Sequence, residues 1–335
     1  MVKHMNDETD VKSDAISLGE MIELSRAFQK SRIFLTAYEM DIFTVLGDEE
    51  KSSKEISDAI SADHRGTDRL LNALCALKVL KKSGDKYKNS PDAAQYLVKG
   101  KPGYQAGLMH TVHLWNSWDT LTDAVRKGGL VRQRPVEERD DEWFVGFIAA
   151  MHSRAAKEAP ELISRLDLSG VSRVLDVGGG SGAFSMAFVR ASESIRATVF
   201  DLPNVVSLTQ GYIEKEGLGH RIDTVAGDYN KDELPQGYDL AFLSAIIHSN
   251  SPKQNQALFH KISDALNPGG KIVVSDFIMN DDRTSPSFGA IFALNMIVNT
   301  PGGDTFTESE IKSWMKAAGM SFVERNEGVM IGKKD

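Results

Sequence analysis

From Leu18 to Leu46 the apolar residues Met21, Ile22, Leu24, Phe28, Ile33, Phe34, Leu35 and Ala37 recur at helical spacing. Ser52-Ser53-Lys54-Glu55 has the form of a capping box and predicts a short helix over 55–60. A second helix is predicted over 68–79, with Leu70, Leu71, Leu74 and Leu77 on one face. Leu80 to Lys88 then reads as two short strands around a Gly84-Asp85 turn. Helices followed by a hairpin are the order of a winged helix. A helical stripe (Leu108, Met109, Leu114, Leu121) runs through the aromatic-rich stretch 102–129. A polar linker over 127–141 separates it from a helix over 143–166 that carries Phe144, Phe147, Ile148, Met151 and Ala155 on one face.

From Val171 the period changes. Short apolar runs predict strands at 173–178, 197–202, 221–226, 238–243 and 271–277, with helical stretches between them. Ser251-Pro252 opens a helix through Leu266, and Asn267-Pro268-Gly269-Gly270 reads as the turn before the fifth strand. A helix over 287–299 and a second capping box, Thr307 to Glu310, precede closing strands at 321–325 and 328–331. The class is α/β: a parallel sheet finished by an antiparallel hairpin, behind a mostly helical N-terminal domain. The boundaries expected are a disordered tail over 1–17, a winged-helix-like domain over 18–100, a helical linker and pocket region over 101–170, and a Rossmann-like domain over 171–335.

Composition narrows the role. The 335 residues suffice for one large or two medium domains, and 41% hydrophobic with 26% charged residues is ordinary for a soluble globular chain. A net charge of −8 disfavours broad phosphate-backbone binding. The hairpin lysines (Lys78, Lys81, Lys82, Lys86, Lys88) form a basic edge. The helix that would enter a DNA groove, however, offers only His64, Arg65 and Arg69 against Asp63 and Asp68, so no nucleic-acid partner is expected. The single cysteine, Cys75, permits no intrachain disulfide and reads as core. Met1 to Asp14 is polar and acidic, unlike a signal peptide or anchor. No apolar run approaches the roughly 18 to 20 residues of a membrane span. The expected location is cytoplasmic, with no membrane partner.

The chemistry gathers at the strand ends. Val174, Leu175 and Val177 form a buried strand that runs into Gly178-Gly179-Gly180-Ser181-Gly182, after which a helix begins. Gly178-x-Gly180-x-x-Ala183 satisfies the loose fingerprint for a nucleotide-like ligand. Asp176 and Asp201 bracket that loop with two carboxylates, and Asp201 is placed to accept both hydroxyls of a ribose. A third strand ends in Asp228, against an adenine amino group, with Tyr229 beside the ring. A negative rim suits an amine, a sulfonium and a ribose better than a pyrophosphate, which selects S-adenosylmethionine. After the fourth strand, His248 is the first ionisable group, and its ordinary pKa of about 6.5 suits general-base work. Met109, Phe147, Met151, Asn295 and Met296 are candidate lining residues for a flat substrate. No metal is expected: Asp281-Asp282 sits in a polar turn, and His110-x-x-His113 lacks a third ligand.

Taken in order, Leu175-Asp176-Val177-Gly178-Gly179-Gly180-Ser181-Gly182, Phe200-Asp201-Leu202-Pro203, Gly227-Asp228-Tyr229 and Leu266-Asn267-Pro268-Gly269-Gly270 resemble the dimeric S-adenosylmethionine-dependent O-methyltransferases of the caffeate, hydroxyindole and bacterial polyketide type. The resemblance covers roughly 17–334. It implies a Rossmann-like class I methyltransferase domain, and an N-terminal winged helix used for dimerisation. It also implies methyl transfer from S-adenosylmethionine to a hydroxyl of a small, aromatic molecule, with S-adenosylhomocysteine as product. Cofactor contacts then fall on Gly178, Asp201, Asp228, Tyr229 and Ser244, the base on His248, and the acid that steadies it on Asp276; Asp176, Gly180 and Leu202 complete the expected cofactor-binding set. The chain departs from the family at Ser249-Asn250, after the histidine, and at Thr305, where plant members carry a second acid. Two rival readings stay open here: a DNA-binding regulator that senses S-adenosylmethionine, and a relative that uses the cofactor pocket for chemistry other than methylation. The wide apolar stripes at 18–46 and 100–121 themselves predict a homodimer.

Overall fold

The structure, a computed structural model, describes residues 15–131, 141–326 and 328–335, and for 141–145 the backbone alone. Most of the expected tail (residues 1–14) and of the expected linker (132–140) lies outside the described residues. The chain divides into two compact units, Met1–Gln105 and Ala106–Asp335.

In the first unit the long apolar stripe forms three helices: α1 (Leu18–Arg26), α2 (Phe28–Glu39) and α3 (Ile42–Leu46). Ser17 and Glu20 close a capping box at the start of α1, and Asp41, at φ 59°, turns the chain between α2 and α3. No residue of α1 is buried; Leu18 and Leu24 are 73% and 69% exposed, and Met21, Ile22 and Phe28 are exposed beside them. Next come β1 (Lys51–Ser52), α4 (Ser53–Ala59), α5 (His64–Ala76), β2 (Leu80–Ser83), β3 (Lys86–Asn89) and α6 (Pro91–Tyr96). The helix α4 starts ahead of the expected 55 because Ser52 is itself the cap. Likewise α5 runs 64–76 rather than 68–79: Asp63 caps it through the Gly66 N–H, and Lys78 has φ 63° just beyond its end. The three strands form one sheet in the order β1-β3-β2, over a core that includes Phe43, Leu46, Ile56, Leu71, Leu74 and Tyr87.

The second unit opens with α7 (Leu108–Trp118), α8 (Leu121–Lys127) and α9 (Asp141–Ser164). It continues through β4 (Arg173–Val177), α10 (Ala183–Ala191), β5 (Arg196–Asp201), α11 (Pro203–Lys215), β6 (Ile222–Ala226), β7 (Tyr238–Ser244), α12 (Pro252–Ala265) and β8 (Leu266–Ser275). The chain closes with α13 (Ser287–Asn299), α14 (Glu308–Ala317), β9 (Met320–Asn326) and β10 (Val329–Lys334). The expected turn 267–270 is the irregular start of β8, since Leu266 already pairs with Tyr238 before the register shifts. Seven strands run in the order β6-β5-β4-β7-β8-β10-β9. β4 to β8 are parallel, and β10 lies antiparallel between β8 and β9.

Alternation along β4 shows how the sheet is covered. Leu175 and Val177 face a cluster with Phe259 and Ile262 of α12 and Ile311 and Met315 of α14. Val174 faces the opposite cluster, with Ile163 of α9, Phe188 of α10 and Ile213 of α11. Strand order reverses between β4 and β7, so a crevice is expected beyond the C-terminal ends of those two strands.

Candidate active site

The glycine loop occupies that crevice. Gly178, Gly180 and Gly182 have φ of 68°, 55° and 74°, the left-handed region that L side chains avoid. The Gly178 N–H donates to the Phe200 carbonyl at 2.7 Å, and the Gly180 N–H to Asp201 Oδ2 at 2.8 Å. Asp201 Oδ1 accepts the Leu202 N–H at 2.7 Å, and burial pushes this carboxyl up while the two N–H donors oppose the shift. Each Asp201 oxygen keeps a second lone pair.

Asp176 corrects the expectation of a two-carboxylate rim. Alternation along β4 turns its side chain under the loop, to the side of Val174 and α10, where it is 1% exposed. Its Oδ2 accepts the Ser185 hydroxyl at 2.7 Å, and a Cβ on Gly179 would stand 2.7 Å from its Cγ. Burial pushes its pKa up to about 7, with the Asp201 charge adding to the rise. Asp176 supports the loop from beneath.

Tyr229 flanks Gly178, its ring 3.7 Å from where a Cβ would stand and its hydroxyl 3.5 Å from Asn250 Oδ1, and burial raises the phenol pKa. The half-buried Asp228 accepts the Asn230 N–H at 2.9 Å and meets Lys231 Nζ at 3.0 Å. Ser244 ends β7, paired with Ser275 of β8. One turn beyond Ser244 comes His248, and directly after Ser275 comes Asp276. The parallel register therefore carries both to the same sheet edge, where His248 Nδ1 lies 2.7 Å from Asp276 Oδ1. Asp276 Oδ1 also accepts the Phe277 N–H at 2.7 Å, which fixes the carboxylate. His248 is 9% exposed.

The two departures have structural partners of their own. Asn250 is buried and donates to Asn255 Oδ1 at 3.0 Å, tying Tyr229 to the start of α12. Thr305 donates its hydroxyl to the Gly289 carbonyl at 3.2 Å. Asp304 pairs with Arg283, and Glu308 with Lys312 and Arg325, so the acid on the His248 ring is Asp276.

Of the proposed lining residues, Phe147 meets the His110 ring at 5.3 Å, Met109 and Met151 are half-buried on α7 and α9, and Met296 is buried. Asn295 Oδ1 accepts the Trp118 indole N–H at 2.9 Å and an Asn299 N–H at 3.0 Å, so this amide braces α13 against α7. Sequence reasoning missed two groups. Phe277, Phe288 and Phe292 form a ring cluster, with Phe292 edge-on to His248 at 5.0 Å and Phe277 5.8 Å from it. Only the i, i+4 spacing of Phe288 and Phe292 hinted at it. His152 of α9, which nothing in the motif flags, stacks on Tyr212 and lies 2.9 Å from the hydroxyl of Ser181 in the glycine loop. Burial holds its pKa below the usual histidine range.

The profile of the O-methyltransferase domain matches residues 118–321, and that of the O-methyltransferase dimerisation domain matches residues 22–99. Over 311 residues the chain is 32% identical to the 3-hydroxy-5-methyl-1-naphthoate 3-O-methyltransferase of Streptomyces sahachiroi, which spans 90% of this chain and 89% of that protein. The structure of human N-acetylserotonin methyltransferase in complex with S-adenosylmethionine matches with TM-score 0.79 at 25% identity, over 96% of this chain and 99% of that one. That of PigF with S-adenosylhomocysteine matches with TM-score 0.87 at 24% identity, over 95% and 100%, a likeness of fold. The chain belongs to the S-adenosylmethionine-dependent O-methyltransferases. It is a methyl-transferring enzyme of that class.

Proposed function

We propose that the chain methylates a hydroxyl of a small aromatic molecule, with His248 as general base and Asp276 as its positioning partner. The observation that carries this reading is the 2.7 Å contact between His248 Nδ1 and Asp276 Oδ1 at the C-terminal edge of β7 and β8. A carboxylate only accepts, so in the neutral imidazole Nδ1 carries the hydrogen and Nε2 keeps the lone pair.

The residues of the loop fit the family's cofactor. A Cβ on Gly180 would find nothing closer than Ile148 at 3.9 Å, so the loop is open on that side, and Asp201 offers its spare lone pairs beside it. Gly178, Gly180, Asp201, Leu202, Asp228, Tyr229 and Ser244 would hold the ligand. Asp176 acts through the loop. When bound, S-adenosylmethionine supplies a methyl group on a positively charged sulfur and leaves as the neutral thioether. The chain's own part is to orient the acceptor oxygen and take its proton on Nε2 as the oxygen–carbon bond forms and the carbon–sulfur bond breaks. Asp276 then stabilises the imidazolium, and positioning supplies much of the rate.

The ring cluster of Phe277 and Phe292 beside His248 supports an aromatic acceptor. Transfer of a labelled methyl group to a panel of phenols and naphthols tests the function. Wild-type protein that saturates with S-adenosylhomocysteine yet labels no hydroxyl compound would count against it.

Assembly as a homodimer is supported by the dimerisation-domain match and by the exposed apolar residues of α1 and Phe28. An obligate interface of about 2,000 Å² or more is expected. A sedimentation profile of stable monomer at micromolar concentration would contradict it.

A further inference from the structure

The helix that faces His248, α13, is uncharged along its length, as is α7, which packs on it. Neither α7 nor α13 contains an Asp, Glu, Lys or Arg, and α13 supplies Phe288 and Phe292 to the ring cluster. Among the described residues, one cation is recorded against that cluster. The guanidinium of Arg154, on α9, sits over the Phe277 ring, 5.6 Å from its centroid. Phe277 is in turn 4.3 Å from Phe292 and 5.8 Å from the His248 ring, so Arg154 and the imidazole stand on the same aromatic group.

The Arg154 side chain is 55% exposed and pairs through Nε with Glu158 Oε1 at 2.9 Å, one helical turn on. Such an exposed i, i+4 pair adds little to the stability of a helix, so the fold does not depend on it. The pair does orient the side chain. With Nε held by Glu158, the two terminal nitrogens remain, and they can engage a carboxylate side by side. A chain of net charge −8 repels an anion at long range, so an anionic acceptor needs a local cation at the site itself.

We infer that Arg154 is an acceptor-recognition residue, and that the acceptor is a hydroxylated aromatic compound bearing an anionic group, such as a carboxylate, on the ring system away from the reacting hydroxyl. This rests on the reading of His248 as the base. The hydroxyl lies at the imidazole, the ring against Phe277 and Phe292, and the anion at the guanidinium beyond them.

The test compares 6-hydroxy-2-naphthoate with its methyl ester, each titrated calorimetrically into protein saturated with S-adenosylhomocysteine. Wild type is expected to bind the acid about tenfold more tightly than the ester. That preference is expected to fall close to one in Arg154→Gln and to be partly kept in Arg154→Lys, which restores charge without the planar fork. A ratio is unaffected by a variant that merely loses active protein. Equal affinities for acid and ester in wild type, no binding of either, or a preference that survives Arg154→Gln would overturn the proposal. Labelled methyl transfer to neutral 2-naphthol separates the two readings. If wild type methylates 2-naphthol but shows no acid preference, only the anion site fails; if no phenol is methylated, the base reading itself fails.

Discussion

Replacing Gly178 by valine is expected to weaken S-adenosylhomocysteine binding at least tenfold. Gly178 has φ 68°, which costs an L residue about 1–2 kcal/mol and a β-branched one more. A Cβ there would also run into Ile246 Cδ1, and Ile246 lies between Ser244 and His248. The side chain can yield, since Cδ1 is its far end, but yielding disturbs the segment that carries His248, the proposed base. Both costs fall on the loop conformation in which Asp201 holds Gly180. Asp201→Ala should act from the other side. It leaves the Gly180 and Leu202 N–H groups without their acceptor and removes the candidate ribose contact, at about 1–3 kcal/mol in cofactor affinity. Calorimetry with S-adenosylhomocysteine on both variants, paired with thermal melts, reads the effect. Unchanged affinity in both would remove this loop from the cofactor site.

The central parallel strands were legible because β4, β5 and β7 are buried on both faces. A run such as Val174, Leu175 and Val177 admits few other readings, and the glycines after it mark the turn. The break in the long N-terminal stripe was not legible. Periodicity is blind to one residue, Asp41, taking a left-handed conformation between two helices of the same apolar character. Asp176 shows a different limit. Its place beside the loop could be read from the motif, yet only the alternation of β4 with its partner Ser185 on α10 decides that the carboxylate points beneath the loop.

The proposed base and its acid stand 28 positions apart in the chain and 2.7 Å apart in space. Recognising them together requires knowing that β7 and β8 are parallel neighbours in register at Ser244 and Ser275. Without the family resemblance, His248 stood out by position and Asp276 did not. The phenylalanine cluster was hidden for a similar reason. Phe277 follows a strand while Phe288 and Phe292 lie on a helix, and no window of sequence holds all three as one surface.

If His248 takes the acceptor's proton, His248→Gln should leave S-adenosylhomocysteine affinity close to wild type while turnover falls about 10²–10⁴-fold. Asp276→Asn should cost less. It keeps an oxygen that can accept from Nδ1, but withdraws the charge that favours the imidazolium, and it weakens a carboxylate that also accepts the Phe277 N–H. Turnover alone does not identify a base, because His248 is buried against Phe292 and its loss also opens space beside the acceptor. Acceptor acidity separates the two explanations. A phenol bearing an electron-withdrawing substituent is partly ionised before it reaches the enzyme, so it needs the base less. The turnover of His248→Gln should therefore recover towards wild type as the phenol pKa falls at constant pH. A pocket that has merely collapsed penalises all acceptors of one size alike. Ring-substituted phenols of matched volume, assayed in both proteins, give the slope directly. A constant ratio across the series, with cofactor affinity reduced in step, would assign His248 a packing role and leave the proton to another group.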